Sequence, residues 1–173
     1  MKHLKTCIVI SLDGFIARKD GDLNWMPGNI KKEISAAYEI PSVFIAGVNT
    51  YNMIFRNWGG WPYKSKKTFV VSHYDTNVSE KENVSFLTDM PLRAVNELKS
   101  SSETDIQVIG GGKFITSLIE ASLLDEITLY IIPVMLGNGI KFIGKTFGSK
   151  WELTQNKILD NQVVCLTYQY KGE

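Results

Sequence analysis

"QVIGGGKFITSLI", residues 107–119, decides how this chain is read. An apolar run stops at three consecutive glycines. A lysine follows, and then Phe114, Ile115, Leu118 and Ile119 recur at the spacing that lines one face of a helix. The stretch predicts a strand over 106–110 that hands over to a helix at 113–121 through a linker almost without side chains. Glycine serves where the backbone turns through positive φ or where another group must lie against it. A helix start offers N–H groups that the helix leaves unused, at the positive end of its dipole. Strand, bare linker and helix start together suit an anion, most often a phosphate. A tight turn with no ligand stays open as the alternative on the glycines alone.

Two familiar phosphate loops do not fit. A Walker A loop needs a hydroxyl after its lysine, and Lys113 is followed by Phe114. A dinucleotide fingerprint needs a third glycine where this chain has Ile115, and the later pair Gly137 and Gly139 fails the same test at Phe142.

Working outward, short apolar runs alternate with helical patterns. Strands are expected at 7–11, 43–47, 68–72, 84–87, 106–110, 126–133, 151–159 and 163–170. The middle ones are nearly continuous in Val, Ile and Phe, as strands covered on both faces are. The last two alternate, as antiparallel strands at a sheet edge do. Helices are expected at 30–39, 50–55, 91–99 and 113–121, with Asp89 as the cap of the third and Pro91 in its first turn. The alternation argues for an α/β layered fold with a largely parallel sheet, built as a single domain over residues 1–173.

Composition sets the outer limits. The 173 residues are 44% apolar and 21% charged, with a formal net charge of +1. That balance supplies no field to draw nucleic acid or an acidic membrane surface. No apolar run is long enough to cross a bilayer, and "MKHLKTCIVISLDGFIA" reads as a first strand rather than an export signal, so the expected compartment is the cytoplasm. Cys7 and Cys165 are expected as free thiols.

The strand ends add to the glycine signal. Ligands of parallel α/β sheets sit outside the carboxyl ends of the strands. Those ends read "ISLDG", "AGVNTY", "VVSH" and "VIGGGK", each closing on a small or hydroxylic residue. A groove lined by Ser11, Gly47, Thr50, Ser72 and the three glycines follows.

Taken in order, "SLDGFIA", "GDLNW", "IAGVNTY", "FVVS" and "VIGGGKFITSLIEASLLDEITLYIIPVMLGNGIKFI" resemble the dihydrofolate reductase superfamily. Within it the chain is most similar to the reductase domain of the bifunctional riboflavin-biosynthesis deaminase-reductase and to its stand-alone relatives. The match runs from Cys7 to Tyr170. The resemblance implies a three-layer fold, a central mixed and mainly parallel sheet, and NADPH laid across the strand ends, with NADH as the alternative. It places Gly110, Gly111 and Gly112 under the cofactor pyrophosphate, often with a cis glycine–glycine bond, and Lys113, Phe114 and Ile115 at the helix start. It places Gly47, Asn49 and Thr50 at cofactor phosphate, and Ser72 and His73 at the adenosine end. Trp25 belongs to the loop over the nicotinamide. The resemblance implies that Ser11, Trp25 and Asn29 face substrate and that Asp13 is the carboxylate nearest the reaction.

Three departures matter. Asn29 stands where a dihydrofolate reductase has its pterin-binding acid, with Glu33 one turn later. Val48 replaces a phosphate-holding basic residue, and His73 an arginine. No H-x-E and no C-x-x-C is present, so no zinc deaminase segment is read. The implied activity is hydride transfer to a small carbonyl or imine, with the ribosylamino-pyrimidine of riboflavin synthesis as the suggested substrate. A dihydrofolate- or pterin-type reductase and a non-catalytic nucleotide-binding module are the alternatives. The resemblance also implies a homodimer.

Overall fold

The computed structural model describes residues 2–72, 83–144 and 148–172. Chain order is β1 (Leu4–Ser11), β2 (Phe15–Ala17), α1 (Gly28–Glu39), β3 (Val43–Gly47), α2 (Val48–Asn57), β4 (Lys67–Val71), β5 (Val84–Leu87), α3 (Pro91–Ser101), β6 (Ile106–Ile109), α4 (Gly112–Glu120), β7 (Glu126–Ile132), β8 (Ile140–Lys141), β9 (Lys150–Leu159) and β10 (Val163–Gly172).

Eight strands make one sheet in the order β5-β4-β3-β6-β1-β7-β10-β9. From β5 to β7 every neighbouring pair is parallel, while β10 runs antiparallel to both β7 and β9. This is the mixed, mainly parallel sheet expected of the sequence. Its strands present alternate residues to two cores, because successive side chains of a strand point to opposite faces. Ile45, Val108 and Ile8 meet Val95 of α3 and Ile115 and Leu118 of α4. On the other side Phe44, Ala46, Val70 and Ile109 meet Tyr38 of α1 and Tyr51 and Ile54 of α2, and farther along Val9, Tyr130 and Cys165 meet Ile30 of α1. Helices therefore cover both faces, and the layers number three. Phe44, Ile45 and Ala46 in the middle of β3 are wholly buried. Each large apolar side chain so buried contributes roughly 1.5–3 kcal/mol.

Two small elements escape the sequence pattern. Strands β2 and β8 pair antiparallel in a separate ribbon, and runs of three and two residues carry no readable period. The start of α3 also differs from expectation. Met90 is its cap, in the left-handed region with φ 41, and no side chain caps it, so Asp89 does not. Pro91 does occupy the first turn, where its missing N–H costs nothing. Strand β9 lies at the sheet edge and is exposed along most of its length. Cys7 and Cys165 are free thiols. No helix among the described residues is long and apolar enough to cross a membrane.

Candidate active site

Strands β3 and β6 are hydrogen-bonded neighbours, with Ala46 opposite Ile109. The chain leaves them on opposite faces: α2 follows β3 onto the Tyr51 side, and α4 follows β6 onto the Ile115 side. This is a topological switch point, and it opens a crevice at the carboxyl ends of the two strands. Two helix starts face each other across it, and Thr50 closes the gap. Its Oγ1, in the first turn of α2, accepts the N–H of Gly111 at 2.8 Å.

The glycines here are explained by close approach, since none of Gly47, Gly110, Gly111 and Gly112 has positive φ. A Cβ on Gly47 would lie 3.0 Å from Cβ of Phe114, and one on Gly110 would lie 3.3 Å from Ile115 and from Phe114. At Gly112 a Cβ would fall 2.2 Å from the carbonyl oxygen of Phe142 and 2.3 Å from that of Lys141. Main chain thus requires glycine at 112, while at 47 and 110 neighbouring side chains would have to give by a few tenths of an ångström. Gly111 differs, because its Cβ would meet only the Thr50 hydroxyl, at 3.1 Å, and nothing else within 4 Å. The bare main chain at Gly111 is left uncovered, at the start of α4. No described peptide bond is cis, so the expected cis glycine pair is absent.

The other expected cofactor contacts fall along the same edge. Ser72 follows β4, is 2% exposed, and donates its N–H to Leu87 O at 3.0 Å. Asn49 is exposed in the first turn of α2, as Lys113 is in that of α4. Phe114 and Ile115 turn inward against the glycines and the core. His73 lies outside the described residues.

At the end of β1 the structure builds a polar knot. Ser11 is fully buried and donates to Asp13 Oδ1 at 2.5 Å, while Ser11 Oγ accepts the N–H of Phe15 at 3.0 Å. The Asp13 carboxylate also accepts the N–H groups of Leu136, at 3.1 and 3.2 Å, and of Gly137, at 2.7 Å. The Ser11 hydroxyl, and then these backbone donors, hold its pKa down at about 2. Asp13 is therefore an ionised tie between the β1–β2 turn and the loop after β7. It carries no proton at neutral pH. The backbone of 136–137 was invisible to sequence reading, because a main-chain donor has no residue signature.

The ribbon of β2 and β8 ties this knot to the glycines. Phe142 N donates to Gly14 O at 3.0 Å, and the carbonyls of Lys141 and Phe142 press on Gly112. Trp25 packs with Met26 and Ile34 against Ile30, Tyr130 and Ile132, and its buried Nε1 has no hydrogen-bond partner among the described residues. Asn29 lies half-buried at the start of α1. One turn later Glu33 is drawn off toward the sheet edge by Lys157 at 3.6 Å. Of the aromatic loop, Trp61 is buried with its Nε1 on Thr68 Oγ1, and Tyr63 packs edge-on to Phe44, while Trp58 is exposed. Trp61 and Tyr63 build core.

The comparisons bear on this geometry. The protein of Shewanella sp. PV-4 described as a candidate riboflavin biosynthesis protein superposes with a TM-score of 0.84 at 25% identity, covering 98% of this chain and 99% of that one. The RibD protein of Acinetobacter baumannii gives a TM-score of 0.75 at 16% identity, covering 99% of this chain but 58% of that longer one. Dihydrofolate reductase of Enterococcus faecalis, solved with NADP(H), gives 0.73 at 17% identity and shares the fold, covering 98% of this chain and 96% of that one. In sequence, the uncharacterized protein YwjB of Bacillus subtilis (strain 168) is 28% identical over 136 residues, 77% of this chain and 78% of that protein. The model of the RibD C-terminal domain matches residues 2–165, nearly the whole sheet and all four helices, and the chain belongs to that reductase-domain family.

Proposed function

We propose that this chain, acting as one domain of residues 1–173, is an NADPH-dependent reductase that delivers hydride to a small carbonyl or imine. The observation that carries the reading is the β3/β6 crevice, with Thr50 bonded to Gly111 and the Gly111 main chain uncovered. A diphosphate needs close N–H donors and no side chain in the way; the Gly111 N–H is taken by Thr50, and the donors left to it are the first-turn N–H groups of α2 and α4. Gly47, Asn49 and Thr50 would hold it from the α2 side, and Gly110 to Lys113 from the α4 side. Ser72, with His73 following it in sequence, would meet the adenosine end.

When bound, the reduced nicotinamide supplies the hydride. The chain's own residues position, orient and shelter. Holding two reactants in a reactive pose accounts for about 7–11 kcal/mol of a barrier in favourable cases. Ser11, Trp25 and Asn29 are the proposed substrate contacts. Asp13 is proposed as a positioning residue, since an ionised carboxylate with pKa about 2 cannot donate a proton near neutrality. The proton comes from water or from the substrate.

For the substrate, a riboflavin-pathway ribosylamino-pyrimidine is favoured by the family. A pterin-type reductase is disfavoured by Glu33, whose carboxylate pairs with Lys157 instead of standing ready for a pterin. A homodimer through the exposed edge strand β9 is part of the proposal, as is a cytoplasmic location. The test is direct. NADPH, and NADH in parallel, are titrated into the protein, and nicotinamide absorbance is then followed with ribosylamino-pyrimidine, dihydrofolate and a panel of small aldehydes. Binding with turnover of the pyrimidine supports the reading. Binding without turnover of any compound leaves only a nucleotide-binding module, and absence of binding ends both.

A further inference from the structure

We infer that the groove on the α1 side of the sheet's amino-terminal edge is a second binding site, for a small uncharged molecule that carries an amide or ureide edge. It lies at the opposite end of the strands from the Thr50–Gly111 crevice, and nothing in the proposed reduction uses it.

The strand register builds it. Lys5 stands between Gln107 on β6 and Glu126 on β7, and two residues along β1, Cys7 stands beside Thr128. All five side chains project toward the α1 face, since they alternate with Thr6, Val108 and Ile127. The end of α1 roofs them only partly, through Ala37, Ile40 and Pro41, and leaves a cavity of about 480 Å³. That volume lies within the range of small-molecule sites, about 300–1,000 Å³.

Gln107 is the residue that asks for a ligand. It interrupts a wholly buried strand, "IQVI", and is itself 4% exposed. Its oxygen is not among the buried polar atoms left without a partner, so it opens onto the groove. Its Nε2 donates once, to Val108 O at 3.1 Å, and among the described residues its Oε1 accepts from nothing. The carboxamide therefore offers an acceptor and a second N–H to the groove, side by side. An amide or ureide presents the complementary pair, one N–H and one C=O.

Charge argues against a phosphate here. Lys5 is already engaged by Asp105 at 3.0 Å and by Glu126 at 3.7 Å. The lining holds three carboxylates, with Glu103 the third, against the ammonium groups of Lys5 and Lys2. An anion would meet net repulsion, and a neutral molecule would not.

The experiment is a titration of the isotope-labelled full chain with 2-pyridone and N-methylurea, read on the side-chain NH2 resonances of Gln107, with inorganic phosphate as the charged control. Saturable movement of those resonances is expected in the parent, together with the backbone amides of Lys5 and Thr128, on which the variants are read; the affinity falls tenfold or more in Gln107→Met, and the signal at Gly111 stays still. Thr128→Val provides a second variant, also expected to weaken binding, should Gln107→Met fail to fold. The inference is overturned if neither probe moves Gln107 up to its solubility limit, if the folded variants bind as well as the parent, or if phosphate binds more tightly than the amides. NADPH binding at the other edge is read separately on Gly111, so either site can fail alone.

Discussion

Thr50 and Gly111 are 61 residues apart and joined by one hydrogen bond of 2.8 Å, the hydroxyl of the first accepting the N–H of the second. The bond ties two helix starts that lie on opposite faces of the sheet. Thr50→Val keeps the shape and removes the acceptor. Leaving the part-buried N–H unpaired is expected to cost about 1–2 kcal/mol of stability. NADPH affinity is expected to fall tenfold or more, with recovery in Thr50→Ser. Urea melts paired with a cofactor titration check both halves.

The neighbouring glycines separate packing from binding. Gly112→Ala drives a methyl into the carbonyls of Phe142 and Lys141, at 2.2 and 2.3 Å. Main chain cannot step aside cheaply, and a loss of about 1–3 kcal/mol is expected, typical of overpacking. Gly111→Ala meets only the Thr50 hydroxyl, at 3.1 Å, a side-chain end that can give, and should lose less stability than Gly112→Ala. Under the proposed function it nonetheless loses NADPH affinity. Equal affinity in Gly111→Ala and the parent would remove the diphosphate from this crevice.

Asp13 yields a pH prediction. Its folded pKa of about 2 lies below the ordinary 3.8, so the folded state favours the ionised form. Its stabilising contribution is complete above the unfolded value and is lost as pH falls through the folded one. Asp13→Asn should therefore be less stable than the parent at neutral pH, and the gap should close as pH is lowered from about 4 toward 2. For the same reason the pH profile of reduction should show no inflection from Asp13 near neutrality. A shift of that profile in Asp13→Asn would restore it as a proton donor.

Lys99 and Asp125 form the most enclosed ion pair among the described residues. Lys99 Nζ lies 2.7 Å from Asp125 Oδ2 and also donates to Leu123 O at 2.9 Å, while Asp125 Oδ2 accepts the N–H of Leu4 at 2.7 Å. The pair staples α3 to the approach of β7 and to the first residue of β1. Lys99→Met leaves a part-buried carboxylate without its cation, and roughly 3 kcal/mol should be lost. Thermal unfolding of the single and double variants measures it: Lys99→Met with Asp125→Asn should lose less than the sum of the two singles.

Much of the fold was legible because its signals are local. The continuous apolar runs of β3, β4 and β6 identify buried parallel strands. The inward stripe Phe114, Ile115, Leu118 and Ile119 identifies α4. Asp89 misled because a capping residue type is only a propensity, and the chain instead turns at Met90 through left-handed φ. The ribbon of β2 and β8 was unreadable because its pairing joins residues more than a hundred positions apart through very few side chains.

For the site, the sequence alone determined which residue types stand at the strand ends, since small residues leave room whatever their partners are. Only the tertiary structure decided what each does. It showed that Gly112 makes room for the main chain of Lys141 and Phe142, Gly47 and Gly110 for side chains of α4 and β6, and Gly111 for the Thr50 hydroxyl alone. It showed Asp13 spending its charge on Ser11 and on the backbone of Leu136 and Gly137. Close approach and main-chain hydrogen bonding are relations between distant segments, and a linear order of side chains carries no record of them.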